Sequence, residues 1–156
     1  MNIQFATDEY NQALRAGQKE FRELSAAGKP THPAVLDELL PENGAHTVVD
    51  VGLIEIPSER IIGTKSAGRI AAFTPSFHPL LDPKPEFAAK WISLCAAHLG
   101  ETGITDPIAC YEYLGNFYVQ EGNKRVSVLR CFGAPRIPGQ VRRAMLASSP
   151  NSEART

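Results

Sequence analysis

A strand that runs through a glycine directly into a helix is the feature that most constrains how this chain folds. Residues Phe117 to Gln120 are aromatic and β-branched, as is typical of a strand, and Gly122 interrupts that pattern. Helical spacing follows from about Lys124 to Phe132, with Gly133 placed as a left-handed cap. A chain built around this unit must pack helices on a sheet.

The segments before this unit predict a further strand, a loop and a core helix. Val48 to Ile56 is rich in β-branched residues and is the predicted first strand, which Pro57 ends. From Ser58 to Pro85 the glycines and prolines are too frequent for a long regular element, so we expect a structured loop with short helical turns. Glu86 to Leu99 has apolar residues at helical spacing and is the predicted core helix.

A tight hairpin is predicted immediately before the glycine. Two strand-like runs, Pro107 to Tyr111 and Phe117 to Gln120, flank Gly115-Asn116, a two-residue connection suited to such a turn. Residues Ile137 to Leu146 fit either a last strand or a helix. Together these elements predict an α+β fold, with a small mixed sheet packed against helices.

The amino-terminal residues predict a helical appendage. Thr7 is a plausible N-cap of a first helix that ends near Gly28, and a short second helix is expected between Pro33 and Pro41. From Ser148 onward the sequence has no apolar anchor. The predicted parts are a helical extension over 1–44, a domain over 45–147 and a disordered tail over 148–156.

Composition restricts the classes of function. Lys plus Arg total 16 against 17 for Asp plus Glu, so the chain lacks the cationic excess that draws nucleic acid or anionic membranes without specificity. Cys95, Cys110 and Cys131 are widely spaced in apolar sequence and are expected as buried thiols in a reducing cytosol. The start of the chain does not resemble a signal peptide, and about 18 apolar residues nowhere run together. We therefore expect a cytoplasmic protein with no membrane partner.

The glycine turn itself is a candidate phosphate site. The first amides of a helix lack partners within the helix and lie at the positive end of its dipole, so they attract anions. Gly122 allows a phosphate to approach the backbone, while Lys124 and Arg125 add a point charge and a bidentate fork. The alternative is that Asn123 only caps the helix and both cations are solvated.

The order of these elements resembles the ParB/sulfiredoxin superfamily. The shared pattern is a helix, a glycine and hydrophobic residue leading to a Pro-Ile strand start, a hairpin, a GxxR turn and a helix that ends before Ile-Pro. Ile54 to Pro57 matches the first strand more loosely, and residues 1–44 lie outside the resemblance. The closely matching segments are Phe87 to Leu99, Gly103 to Ile108, Tyr118-Val119, Gly122 to Arg125, Phe132 to Ala134, and Ile137-Pro138.

This resemblance implies a nucleotide-binding fold in which the turn from Gly122 to Arg125 holds the phosphates of CTP, ATP or ADP. Members of the superfamily include CTP-switched DNA clamps, enzymes that reduce cysteine sulfinic acid and kinases of free serine, so the fold does not select an activity. Asn123 stands where a sulfiredoxin has its catalytic cysteine. Asn-Lys-Arg also replaces the Glu-Arg-Arg of a partitioning ParB, and DNA clamping is not favoured.

Glu121 keeps an enzymatic alternative open. The serine kinases have an acidic residue directly before the glycine, and Glu121 occupies that place, where it would orient magnesium or act as a base. The histidines typical of that turn in the kinases are absent. A phosphotransferase or nucleotide hydrolase that uses ATP, ADP or CTP is thus the first rival to a binding protein.

The loop after the first strand holds further candidate phosphate ligands. Gly63-Thr64-Lys65-Ser66 is similar to part of a Walker loop, but Ser58 stands where that motif needs its first glycine. Thr64, Lys65 and Arg69 remain candidates to reach a phosphate, with solvated loop cations as the alternative.

The sequence therefore predicts a regulatory domain that binds a nucleotide or another phosphorylated ligand. The second alternative to this function is a nucleic-acid-binding adaptor. This alternative requires eight cations to lie on one face of the protein. The eight cations are Lys65, Arg69, Lys124, Arg125, Arg130, Arg136, Arg142 and Arg143.

Overall fold

The protein has an α+β fold, as the sequence predicted, in which helices pack on a six-stranded mixed sheet. The computed structural model describes residues 3–41, 46–82, 84–100, 103–104 and 106–146. Short 3-10 turns cover Ser58–Arg60 and Ala67–Ala72. The helices are α1 Ile3–Ala26, α2 Leu36–Leu39, α3 Pro85–His98 and α4 Asn123–Cys131; the strands are β1 Ala34–Val35, β2 His46–Pro57, β3 Ile61–Thr64, β4 Ile108–Tyr113, β5 Asn116–Glu121 and β6 Arg136–Leu146.

The sheet has the strand order β1-β3-β5-β4-β6-β2. The pairs β1 with β3, β3 with β5, and β4 with β6 are parallel, whereas β4 with β5 and β2 with β6 are antiparallel. The central strand β5 leads through Gly122 into α4, so the sheet fixes the start of that helix.

The two faces of the sheet are packed differently because strand side chains alternate in direction. On the helix face, Ile108 and Cys110 of β4 join the main core with residues from α1, α3 and α4. On the opposite face, Tyr111 and Tyr113 form a smaller cluster with Leu36 of the short helix α2. The Gly122 turn therefore lies at the edge of the larger core.

The amino-terminal helix contributes to the main core. Tyr10 of α1 packs its ring 5.3 Å from that of Trp91 in α3, centroid to centroid. Gly17 of α1 faces the carbonyl oxygen of Pro79 so closely that a Cβ atom would clash with it. The N-cap predicted at Thr7 is wrong, because this residue lies inside α1 and its hydroxyl donates a hydrogen bond to the Ile3 carbonyl.

A polar contact also ties α1 to the loop before α3. Glu20 accepts hydrogen bonds from the Ser76 hydroxyl at 2.6 Å and from His78 Nδ1 at 2.8 Å. Burial raises the pKa of Glu20, but the hydrogen bonds from Ser76, Thr74 and His78 and the charge of His78 outweigh burial, so the pKa is lowered. The carboxylate is thus held ionised where α1 contacts this loop.

Most of the predicted elements appear, with three differences. The predicted structured loop from Ser58 contains a strand, β3, in addition to its helical turns. The hairpin turn consists of Leu114 and Gly115, one residue earlier than predicted, because Tyr113 pairs with Asn116. The expected second helix is only the four residues of α2, preceded by the short strand β1.

The carboxy-terminal segment is the strand β6, which resolves the choice between strand and helix. Gly133 has a φ of 74°, the left-handed cap that was predicted after α4. The predicted boundary at 44/45 and the predicted tail over 148–156 lie outside the described residues.

A buried hydrogen bond joins α3 to α4. The indole nitrogen of Trp91 donates to the Ser127 hydroxyl at 2.9 Å, and both residues are fully buried. Ser127 thus has a structural role in the contact between α3 and α4.

Replacement of Ser127 by alanine should therefore destabilise the protein by about 1–3 kcal/mol, because the buried indole N–H loses its acceptor. Chemical unfolding of the purified variant measures this loss. In the double variant Ser127→Ala with Trp91→Phe, no N–H is left unpaired, and the effect of the serine change should shrink. An equal effect in both backgrounds would contradict this account.

Candidate functional site

The turn between β5 and α4 requires a glycine for two reasons. Gly122 has φ 109° and ψ 24°, a left-handed conformation that other residues adopt at a cost of about 1–2 kcal/mol. A Cβ atom on Gly122 would also lie 2.7 Å from the Ile108 Cγ2 atom. The close approach of β4 and the sharp change of direction both depend on the missing side chain.

This turn leaves backbone donors at the start of α4 without a partner inside the helix. The first hydrogen bond of the helix runs from the Val126 amide to the Gly122 carbonyl at 2.9 Å. The amides of Asn123, Lys124 and Arg125 precede it and therefore have no acceptor within the helix. Gly122 provides no side-chain cap for them. The turn thus presents three N–H groups at the positive end of the helix dipole.

Asn123 does not cap the helix, in contrast to the alternative in which it served only as a cap. Its side-chain oxygen Oδ1 is buried and has no hydrogen-bond partner among the described residues. In that arrangement the oxygen satisfies none of the free amides. This observation leaves those amides available to a ligand.

A cleft of about 340 Å³ opens beside these amides, and we call it the turn cleft. Three parts of the chain form its walls: the second 3-10 turn with the residue after it, the middle of α3, and the end of β5 with the start of α4. The lining residues are Arg69, Phe73, Lys90, Leu94 and residues 120–125. Arg69 and the four residues of the predicted Gly122 to Arg125 site are therefore brought together.

Three cations line this cleft without an anionic partner. Within the described ranges, Arg69, Lys90 and Lys124 form no ion pair. The pKa of Lys124 is lowered, mainly by burial and further by the charges of Arg69 and Lys90, while Asp82 acts in the opposite direction. Lys124 Nζ also lies 5.3 Å from the centre of the Phe87 ring. Cations that repel one another around free helix amides suit an anionic ligand.

A second and larger cleft adjoins the first. Its volume is about 860 Å³, and it shares Arg69, Lys90 and Lys124 with the turn cleft. We call it the outer cleft; Asp82 and Glu86 place carboxylates in its lining. Arg69, Lys90 and Lys124 therefore lie between the turn, whose lining includes the carboxylate of Glu121, and the outer cleft, whose lining includes those of Asp82 and Glu86.

Arg125 has a structural role in addition to its place at the turn. Its Nη1 atom donates hydrogen bonds to the carbonyls of Pro107 at 2.8 Å and Asp106 at 3.3 Å. Its Nη2 atom lies 3.2 Å from the position that a Cβ of Gly122 would occupy. The guanidinium thus fixes the segment that leads into β4 while it remains beside the glycine.

Glu121 is exposed and lines the turn cleft, next to the free amides. In the described part of the chain, no group of three or more His, Cys, Asp and Glu side chains is placed to hold a metal ion. Magnesium is commonly held by one or two carboxylates together with phosphate oxygens. One carboxylate at this position fits a magnesium ion that arrives with a phosphorylated ligand.

Thr64 and Lys65 do not reach either cleft, in contrast to their predicted role as phosphate ligands. The Thr64 hydroxyl donates to the Ser66 carbonyl at 2.7 Å, and the residue is buried. Lys65 forms an ion pair with Asp37 and lies 5.4 Å from the Tyr111 ring, on the face of the sheet opposite α4. Neither residue lines the turn cleft or the outer cleft, whereas Arg69 in the following 3-10 turn lines both.

Lys90 is the lining cation that the sequence did not identify. It lies three residues after Phe87 and four before Leu94, at the edge of the apolar stripe of α3. The only local sign of its role is a lysine beside an apolar stripe. Surface helices commonly have lysines at such positions, so this sign does not distinguish a ligand-binding residue. Phe73 also lines the cleft, but it is buried against Phe77 and Phe87 and belongs mainly to the core.

The cysteines do not provide a nucleophile. Burial raises the pKa of Cys95 to about 11 and those of Cys110 and Cys131 to about 12. All three are free thiols, two buried and Cys131 half-buried. At neutral pH they remain protonated, and the thiolate is the reactive form.

Comparison with protein-family models, with curated proteins and with solved structures finds no match to this chain. Among the described helices, none combines the length and the apolar character needed to cross a bilayer.

Proposed function

We propose that this protein is a cytosolic nucleotide-binding module of ParB/sulfiredoxin type, which holds the phosphates of CTP, ATP or ADP at the turn from Gly122 to Arg125. The observation that supports it best is the combination of three free helix amides with three unpaired cations around one cleft. Such a set neutralises several negative charges at once, as a di- or triphosphate requires. Its output in this proposal is regulatory.

The dimensions of the two clefts favour a ligand larger than inorganic phosphate. Sites for small molecules and cofactors commonly occupy about 300–1,000 Å³. The turn cleft alone has about 340 Å³, and the adjoining outer cleft adds about 860 Å³. Phosphates at the Gly122 turn would thus leave room for a nucleoside beyond Arg69, Lys90 and Lys124.

A magnesium-dependent phosphotransferase or nucleotide hydrolase is a second candidate, favoured by the place of Glu121. This exposed carboxylate lines the turn cleft beside the amides, so it would repel a bound phosphate unless a magnesium ion bridged the two. In this alternative Glu121→Gln abolishes sustained release of phosphate or ADP, measured with ATP, CTP and free serine supplied together. In the regulatory proposal wild type shows no such release.

A nucleic-acid adaptor is not proposed, because the eight cations that it requires do not share one face. Lys65 and Arg142 flank Tyr111 on the face opposite α4. Arg130 donates to the Ile61 carbonyl, and Arg143 pairs with Glu112. Arg69, Lys124 and Arg125 remain at the turn cleft, and Arg136 is exposed at the start of β6.

A thermal-shift panel with CTP, ATP, ADP, GTP and pyrophosphate, each with and without magnesium, tests the proposal. A ligand at about one hundred times its dissociation constant stabilises the folded state by about 2.7 kcal/mol, which is several degrees in melting temperature. We expect such a shift with at least one nucleotide, larger than that with pyrophosphate. If no compound moves the transition at millimolar concentration, the proposal fails.

A further inference from the structure

The amino-terminal half of β2 is an unpaired edge with exposed apolar side chains. β2 is the outermost strand of the sheet and pairs with β6 alone among the described strands. Val48 is 39% exposed and Val49 48%, while Met145 and Leu146 on the adjoining end of β6 are 47% and 48% exposed. Such an edge offers free backbone groups to another strand, and proteins usually protect it.

A β-bulge protects this edge only in the carboxy-terminal half of β2. The register with β6 passes from Asp50 opposite Arg142 to Gly52 opposite Val141, so Val51 is an extra, bulged residue. Gly52 has a φ of 102° at this point. Bulges twist an edge and interrupt further pairing. Residues 46–50 are therefore the stretch of β2 that stays regular and open.

These five residues are self-complementary. Along an edge strand, only every second residue directs its N–H and C=O groups outward. Two antiparallel copies of the same strand can therefore form hydrogen bonds to each other only when the two-fold axis passes through a residue and not between two residues. An axis through Val48 places His46 opposite Asp50 of the other copy, twice, and Thr47 opposite Val49. Opposite-charge or hydrogen-bonding partners directly across an antiparallel pair are stabilising.

Neighbouring registers lack this complementarity. An axis through Val49 would place Asp50 opposite Val48, and an axis through Asp50 would place two carboxylates opposite each other. The bulge at Val51 ends the regular stretch on one side. Of these three registers, the axis through Val48 pairs His46 with Asp50 and keeps the bulged residue out of the paired segment.

We infer that β2 is a dimerisation edge, through which two copies of this chain join their sheets by antiparallel pairing of residues 46–50 about Val48. The two six-stranded sheets then form one continuous sheet. Five residues from each copy make a small interface, so the association is reversible and weak. The inference does not depend on any ligand at the Gly122 turn.

Sedimentation equilibrium of the full chain over a range of protein concentrations tests this inference. We expect a monomer–dimer equilibrium in the wild type. His46→Asp places two carboxylates opposite each other at both ends of the interface and should weaken dimerisation at least about tenfold. The exchange variant, His46→Asp with Asp50→His, restores the cross-strand pairs and should return the dissociation constant to within about threefold of wild type.

Val48→Asp and Leu53→Asp form a matched pair of controls. Both place a carboxylate on an exposed position of β2, but only Val48 lies at the proposed axis, while Leu53 lies beyond the bulge. Val48→Asp should abolish the dimer, and Leu53→Asp should leave it intact. Thermal unfolding of each variant shows that the monomer still folds.

Three results would overturn the inference. The first is a wild-type chain that stays monomeric at about 1 mM, the weakest affinity that this edge would give. The second is a dimer that is insensitive to Val48→Asp. The third is an exchange variant that folds normally and does not regain the dimer.

Discussion

Replacement of Gly122 by alanine should destabilise the protein by about 3 kcal/mol. The left-handed φ of 109° costs a residue with a side chain about 1–2 kcal/mol. The added methyl group would also lie 2.7 Å from Ile108 Cγ2, and such overpacking costs about 1–3 kcal/mol. For a chain of this length the melting temperature should fall by about 6–12 °C, as calorimetry or circular dichroism would measure.

Two other glycines separate the two causes. Gly133 has a left-handed φ of 74° but nothing within 4 Å of a Cβ atom, so Gly133→Ala tests the conformational cost alone and should lower the melting temperature by about 2–8 °C. Gly68 has open space and no positive φ, and Gly68→Ala should change stability by less than about 0.5 kcal/mol. Equal losses at Gly122 and Gly133 would show that the contact with Ile108 does not constrain the turn.

Lys90→Gln should weaken binding of pyrophosphate or nucleotide about 10- to 100-fold without loss of fold stability. Hydrogen bonds to charged groups contribute about 1.5–3 kcal/mol, which corresponds to that range of affinity. Without a ligand, the Lys90 charge is repelled by the neighbouring cations and attracted by Glu86, four residues before it on α3, so its removal should change the melting temperature little. The expected effect on binding is therefore large and the effect on stability small.

Isothermal titration calorimetry with pyrophosphate, together with thermal unfolding of the free protein, measures both effects. Lys29→Gln is the matched control, because it removes the same charge from an exposed position after α1 that lines neither cleft. It should bind as wild type does. An equal loss of affinity in both variants would indicate a general effect of net charge and would contradict a site at Lys90.

The sequence predicted the elements that local pattern determines. The glycine turn, the following helix and the cap at Gly133 each depend on residues close in sequence, and all three are present. β3 was missed because it has only four residues, between two 3-10 turns, and its pairing with β1 and β5 depends on distant segments.

The residues of the candidate site also differ in whether local sequence predicts them. Residues 122–125 are contiguous, so the sequence placed them together. Lys65 was assigned to the site because its ion pair with Asp37, 28 residues away, leaves no local signal. Lys90 was missed for the converse reason, since α3 brings it beside α4 only through tertiary packing. Local sequence patterns do not predict which side chains from distant elements come together in a site.

The most direct test of the central claim is a titration of ¹⁵N-labelled protein with pyrophosphate and with ATP, followed by the amide resonances. The proposal predicts that the largest shifts occur at the amides of Asn123, Lys124 and Arg125, saturate at millimolar ligand or below, and diminish in Lys90→Gln. If these three amides stay unchanged while the ligand is at millimolar concentration, or if the shifts concentrate elsewhere in the chain, the Gly122 turn is not a phosphate site.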